Sequence, residues 1–123
     1  MDIYSQNILD HYKNPRNFGK ISKPSASQYE ANLTCGDIFD IDLKIEKGKI
    51  IDMKFRGEGC AISMASASIL SEYLIGKNIN NIQQMKDKDM LGLLGIAVSE
   101  RRKNCALLGF SGAKKALLNY FNK

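Results

Sequence analysis

No apolar run in this chain exceeds the nine residues from Met90 to Val98, which include Leu91 to Val98, well short of the ~20 that a membrane-spanning helix needs. The opening residues, Met1 to Gln6, have no basic segment followed by an apolar one. No secretory signal is read there, and a cytoplasmic location is expected. Cysteine is scarce. The three residues Cys35, Cys60 and Cys105 are an odd number with no extracellular context, so free thiols or metal ligands explain them better than paired disulfides. They form no Cys-x-x-Cys knuckle, and only a folded domain could bring them together. Histidine occurs once, at His11, where a structural or surface role is expected rather than metal ligation. Internal repeats and low-complexity stretches are absent as well.

What is present fits one globular domain over residues 1–123. A chain of 123 residues with 44% apolar and 25% charged residues has ordinary globular composition and can bury roughly two-thirds of its unfolded surface. The net charge is +5, yet the basic residues are spread out, with clusters only at Arg101 to Lys103 and at Lys114-Lys115, and no aromatic residues interleave with them. Stacking platforms for nucleic acid are therefore not expected. A solvated basic face, or one that docks an acidic protein, is the reading that remains.

Periodicity gives the elements. Ile3, Tyr4, Ile8 and Leu9 recur at helical spacing behind a candidate N-cap, Asp2, and predict a helix to about Tyr12. The segment Asn14 to Gly19 ends it, and an extended stretch containing Pro24, Ser25 and Ser27 follows. From Phe39 to Ile45, and again from Ile51 to Phe55, apolar and polar residues alternate around Lys47-Gly48-Lys49, the pattern of an antiparallel hairpin over 38–56. A helix is predicted over about 61–75, its small residues pressed against the sheet and Gly76 closing it in a left-handed cap. One or two short helices over 78–87 and 89–98 should flank a charged turn at Lys86 to Asp89. A last helix should run from about Cys105 to Tyr120, burying Leu107, Phe110, Ala113, Leu117 and Phe121, with Gly109 and Gly112 marking a tight contact. Strands early and helices late make an α+β fold, a small antiparallel sheet packed against helices.

The chemistry rests on Cys35, Asp37, Cys60 and Cys105. Three thiolates and a carboxylate can close a tetrahedral shell around zinc or hold part of a nascent iron–sulfur cluster. Cys60 and Cys105 both fall at predicted helix starts, where unsatisfied N–H groups favour thiolate, and Arg101, Arg102 and Lys103 should push Cys105 the same way. Three buried small hydrophobes would account for the same cysteines.

Four segments carry a resemblance that decides between these readings. Asp10 to Gly19, the triplet Cys35-Gly36-Asp37, the stretch Gly57 to Ser68 and the Cys105 region resemble, in the same order, the U-type iron–sulfur cluster assembly proteins, the family of IscU, SufU and the NifU amino-terminal domain. The stretch from Gly57 is most similar to the SufU branch. The resemblance implies the SufE/IscU-like α/β sandwich, with Cys35, Asp37, Cys60 and Cys105 converging at one exposed end as metal- and cofactor-binding residues. It further implies zinc, with a transient [2Fe-2S] cluster or iron, held by those four, and sulfane sulfur accepted from a cysteine desulfurase of the SufS, IscS or NifS type. Downstream iron–sulfur carriers or apo-proteins would receive the product. Two departures stand out: Asn104 occupies the position before the third cysteine where IscU members usually carry histidine, and the 45-residue interval from Cys60 to Cys105 is too short for the SufU insertion.

Three functions follow as expectations. The leading one is a zinc-dependent sulfur carrier, a persulfide-accepting sulfurtransferase in which Cys35 or Cys105 takes up sulfur. The second is a non-catalytic scaffold for a [2Fe-2S] cluster on the same residues. The third is a structural zinc module that binds nucleic acid or an acidic protein.

Overall fold

The computed structural model describes residues 3–122. Its elements are α1 (Ile3–Lys13), β1 (Ala26–Asn32), β2 (Asp37–Glu46), β3 (Lys49–Glu58), α2 (Ala61–Leu74), α3 (Ile79–Gln84), α4 (Asp87–Leu93) and α5 (Glu100–Phe121). The expected N-cap Asp2 and the side chains of Ile3 and Tyr4 lie outside the described residues.

The three strands form an antiparallel meander in the order β1-β2-β3. The hairpin closes where Glu46 faces Lys49, and the two turn residues Lys47 and Gly48 both take positive φ, 53° and 76°, the backbone hand that matches strand twist. Alternation works as the sequence predicts for Phe39, Ile41, Leu43, Met53 and Phe55, which are fully buried, but not at Ile51, which is exposed while Ile50 is buried in its place beside the register shift at Lys44 and Ile45. The extended stretch before residue 33 proves to be a full strand, pairing Ala26 with Leu43 through to Asn32 with Asp37. At β3 the edge is covered rather than left open: Gly19 N–H donates to Phe55 O, Phe55 N–H to Asn17 O, and Ile50 N–H to Lys77 O.

The small-residue face of α2 does not press mainly on the sheet, as expected, but on α1 and α5, touching the sheet along β3. Ala67 of α2 and Gly109 of α5 meet closely, because a Cβ on Gly109 would sit 3.2 Å from the Ala67 Cβ. A Cβ on Gly112 would run into Ile41 Cδ1 of β2. Both glycines thus mark tight contacts, one against a helix and one against the sheet. The serines of α2 serve the other side: Ser68 Oγ accepts from Arg16 N–H at 2.8 Å and bonds His11 Nδ1 at 2.7 Å, and Ser71 Oγ accepts from Asn17 Nδ2 at 2.9 Å. The Asp10 to Gly19 segment is thereby pinned across α2, and His11 is buried between α1 and α2. Gly76, at φ 94°, ends α2 as predicted.

Two boundaries move. The charged stretch at Lys86 starts α4 instead of forming a turn. Asp89 Oδ2 accepts the Lys86 N–H at 2.8 Å, and Asp87 and Asp89 sit in the first turn, where negative charge meets the positive end of the helix. The last helix begins at Glu100 behind Ser99, five residues before Cys105, because Arg101, Arg102 and Lys103 are good helix formers that extend it as a solvent-facing first turn. Within α5, Phe110, Ala113 and Leu117 are buried, Leu107 is half-buried and Phe121 is exposed. Phe121 lies at the helix's last residue, past the end of the sheet-facing stripe.

Candidate metal centre

One end of the domain gathers the turn between β1 and β2, the start of β2, the start of α2 and the second turn of α5. Cys35 lies on the tight turn after β1. Asn32 holds this turn from both sides, its carbonyl accepting Gly36 N–H at 2.8 Å and its side chain accepting Thr34 N–H at 3.1 Å. Gly36 has a φ of 75°, which explains the glycine between the thiol and the carboxylate. Cys35 is exposed, as expected of a turn, and Leu33 beside it is 92% exposed.

Asp37 opens β2 and is buried. Its Oδ2 accepts from Cys35 Sγ at 3.3 Å and its Oδ1 from the Cys60 backbone N–H at 3.1 Å. One carboxylate therefore ties the turn of the first cysteine to the helix start of the second. Cys60 is the N-cap of α2, as its sequence position predicts, with its Sγ accepting Ser63 N–H at 3.5 Å. The Gly57-Glu58-Gly59 lead-in is required by space. A Cβ on Gly57, whose φ is 143°, would collide with the Ile38 carbonyl, and one on Gly59 with Ser63 Oγ.

Cys105 Sγ lies 3.2 Å from Cys35 Sγ. The ligand atoms of Cys35, Asp37 and Cys105 all lie within 4.8 Å of one another. Cys60 stands outside that trio among the described residues, adjoining Cys105 while capping α2. The expectation that a helix start and a basic cluster favour a Cys105 thiolate is overturned. Cys105 sits inside α5 and is buried, and burial first, then the hydrogen bond to Cys35 and the charge of Cys60, push its thiol up.

A cleft of about 620 Å³ opens over the centre, lined by Thr34, Cys35, Cys60, Arg101, Arg102 and Cys105 among others. Asn104 borders it and also a neighbouring hollow of about 340 Å³ beside Leu33 and Leu107. Thr34 and Ser99 also line the cleft, with no sign of it in the sequence. Nor could the sequence show that the Cys60 backbone N–H would serve Asp37, since both depend on how β2 and α2 meet. The second basic cluster is spent internally: Lys114 donates to the Gln83 and Met85 carbonyls at 2.7 Å each, and Lys115 pairs with Glu30 at 2.9 Å.

The donors suit a soft or borderline metal. A zinc tetrahedron with sulfur ligands has edges of about 3.8 Å, and the spread of up to 4.8 Å across Cys35, Asp37 and Cys105 is compatible with such a shell after small side-chain adjustments. No helix among the described residues is long and apolar enough to cross a membrane.

The family model described as NifU-like N terminal domain matches residues 3–123. An iron-sulfur cluster assembly scaffold protein, IscU 1 of Archaeoglobus fulgidus, is 31% identical over 98% of this chain and 78% of its own length. The zinc-dependent sulfurtransferase SufU of Bacillus subtilis is 34% identical over 94% of this chain and 89% of its own. Among solved structures, a NifU-like protein (N-terminal) from Brucella abortus superposes with a TM-score of 0.81 at 22% identity, covering 98% of this chain and 96% of that one. That likeness establishes the same α+β fold.

Proposed function

Because the chain belongs to the NifU-like N-terminal domain family of iron–sulfur cluster assembly proteins, we propose that it accepts sulfane sulfur from a cysteine desulfurase on Cys35 and holds zinc through Cys35, Asp37, Cys60 and Cys105. The observation that carries this reading is the convergence of Cys35, Asp37 and Cys105 within 4.8 Å beneath an open cleft. Cys60, at the mouth of the same cleft, supplies the fourth donor. Bound zinc would keep the thiolates reduced and offset their mutual repulsion.

Each residue has its own part. Cys35 is the exposed member of the trio, on a short turn whose end can yield without disturbing a strand or helix, so it is the thiol an incoming persulfide reaches. Asp37 orients Cys35 and anchors Cys60. Cys105 forms the buried floor. Sulfur then passes to downstream iron–sulfur carriers or apo-proteins. The same four groups can receive iron and sulfide as substrates for a [2Fe-2S] cluster, the scaffold reading that the likeness to the archaeal IscU favours.

The deciding measurement is native mass spectrometry of the zinc-loaded protein before and after incubation with a desulfurase and cysteine. One zinc per chain and the gain of one sulfur atom at Cys35 are expected. The absence of both a sulfur gain and a new disulfide would sink the sulfur-acceptor reading and leave the scaffold.

A further inference from the structure

Cys35 and Cys105 are already in contact. Their sulfurs lie 3.2 Å apart, within the roughly 3–3.5 Å range of a near-attack arrangement, and must close by about 1.2 Å to reach a disulfide bond length. They differ in access: Cys35 is exposed and Cys105 is 6% exposed. An outside sulfur donor therefore meets Cys35 first, while Cys105 waits behind it. Cys60, the remaining thiol, is engaged as the cap of α2.

Resting on the reading that Cys35 accepts sulfane sulfur, we propose that Cys105 resolves the Cys35 persulfide, so that the chain releases its own sulfide. Cys105 Sγ attacks Cys35 Sγ. A bond forms between these two sulfurs, the bond from Cys35 Sγ to the outer sulfur breaks, and the outer sulfur departs as hydrosulfide carrying the proton that Cys105 gives up. The two electrons that reduce the sulfane sulfur come from the two cysteine sulfurs, which end as a disulfide. A small thiol or a dithiol reductant then resets the pair by exchange. In-line displacement needs the outer sulfur opposite Cys105, which is the solvent side of Cys35. The cleft there is lined by Arg101 and Arg102, whose charge favours an anionic leaving group.

The test uses the full chain, treated with a chelator to free the thiols and mixed anaerobically with a low-molecular-weight cysteine persulfide and no reductant. Intact mass, peptide mapping and released sulfide are read together. The expected result is loss of two hydrogen masses, a Cys35–Cys105 link and one sulfide per chain. Cys105→Ser, with Cys105→Ala as a second variant should the first misfold, is expected to stop at a Cys35 persulfide with no sulfide released. A wild-type persulfide that persists, or a link to Cys60 instead, would overturn the inference while leaving Cys35 as acceptor. No sulfur adduct and no disulfide in either protein would overturn both.

Discussion

At Asp37 a single carboxylate serves two cysteine segments, accepting from Cys35 Sγ through one oxygen and from Cys60 N–H through the other. Asp37→Ala would leave that part-buried N–H without its partner. It is expected to cost about 1–3 kcal/mol in urea denaturation and to weaken zinc binding in a competition titration. Asp37→Asn, whose amide oxygen still accepts from Cys60, should recover part of the stability but less of the metal affinity. Cys35→Ser behaves oppositely. Its side chain is exposed, so the denaturation midpoint should move by no more than the equivalent of about 0.5 kcal/mol, while sulfur gain after exposure to a desulfurase and cysteine disappears from the mass spectrum. The exposed place of Cys35 was legible from the chain because it depends on a short turn. The state of Cys105 was not, because its pKa is raised by burial first and then by Cys35 and Cys60, all of them set by residues far away in sequence.

Elements hold the site by glycine geometry as much as by hydrogen bonds. Gly36 has a left-handed φ of 75° but open space around it, whereas Gly57 combines a φ of 143° with the Ile38 carbonyl directly in the path of a Cβ. Gly36→Ala should therefore cost about 1–2 kcal/mol, the left-handed penalty alone. Gly57→Ala must also push β2 and β3 apart and should cost more than that in the same urea experiment. Because β3 leads directly into Cys60, it should lower zinc affinity as well. Here the sequence was informative about existence and less so about edges. The β2–β3 hairpin was read from alternation and from Lys47-Gly48. The start of α5 is not visible in the sequence because a run of Arg and Lys carries no apolar period of its own, and the partner of the α2 face is not visible because small residues do not say which neighbour they admit.

On the scale of the whole molecule, two buried titratable groups set the response to acid. Burial by itself would raise the Asp42 pKa, but the Ile21 N–H, the Ser27 hydroxyl and Arg56 more than reverse this and hold it below its usual value. The folded state thus binds fewer protons than the unfolded one. Asp42 contributes stability that is complete above about pH 4 and is lost as pH falls through the lower folded value. His11 is also lowered, chiefly by burial and then by Arg16, against the opposing pull of Glu72 and Asp10. Its contribution is present above the ordinary value of 6.5 and is lost as pH falls from there toward the folded value. Urea midpoints across the acid range should decline in two stages. His11→Gln should flatten the upper stage, and Asp42→Asn should flatten the lower one and reduce stability at neutral pH. A single decline in wild type, unchanged by either substitution, would contradict both assignments.

Local pattern determined much of this protein by itself: the strand alternation from Phe39 to Phe55, the α2 cap at Cys60, the turn that exposes Cys35 and the set of four candidate ligands. These are matters of period, cap chemistry and backbone freedom, which act over a few residues. Only the tertiary structure decided which ligands stand together. Cys35, Asp37 and Cys105 meet because α5 crosses the sheet at Gly112 and α2 at Gly109. That close approach places a thiol from residue 105 against one from residue 35, at a distance set by packing rather than by any spacing in the chain.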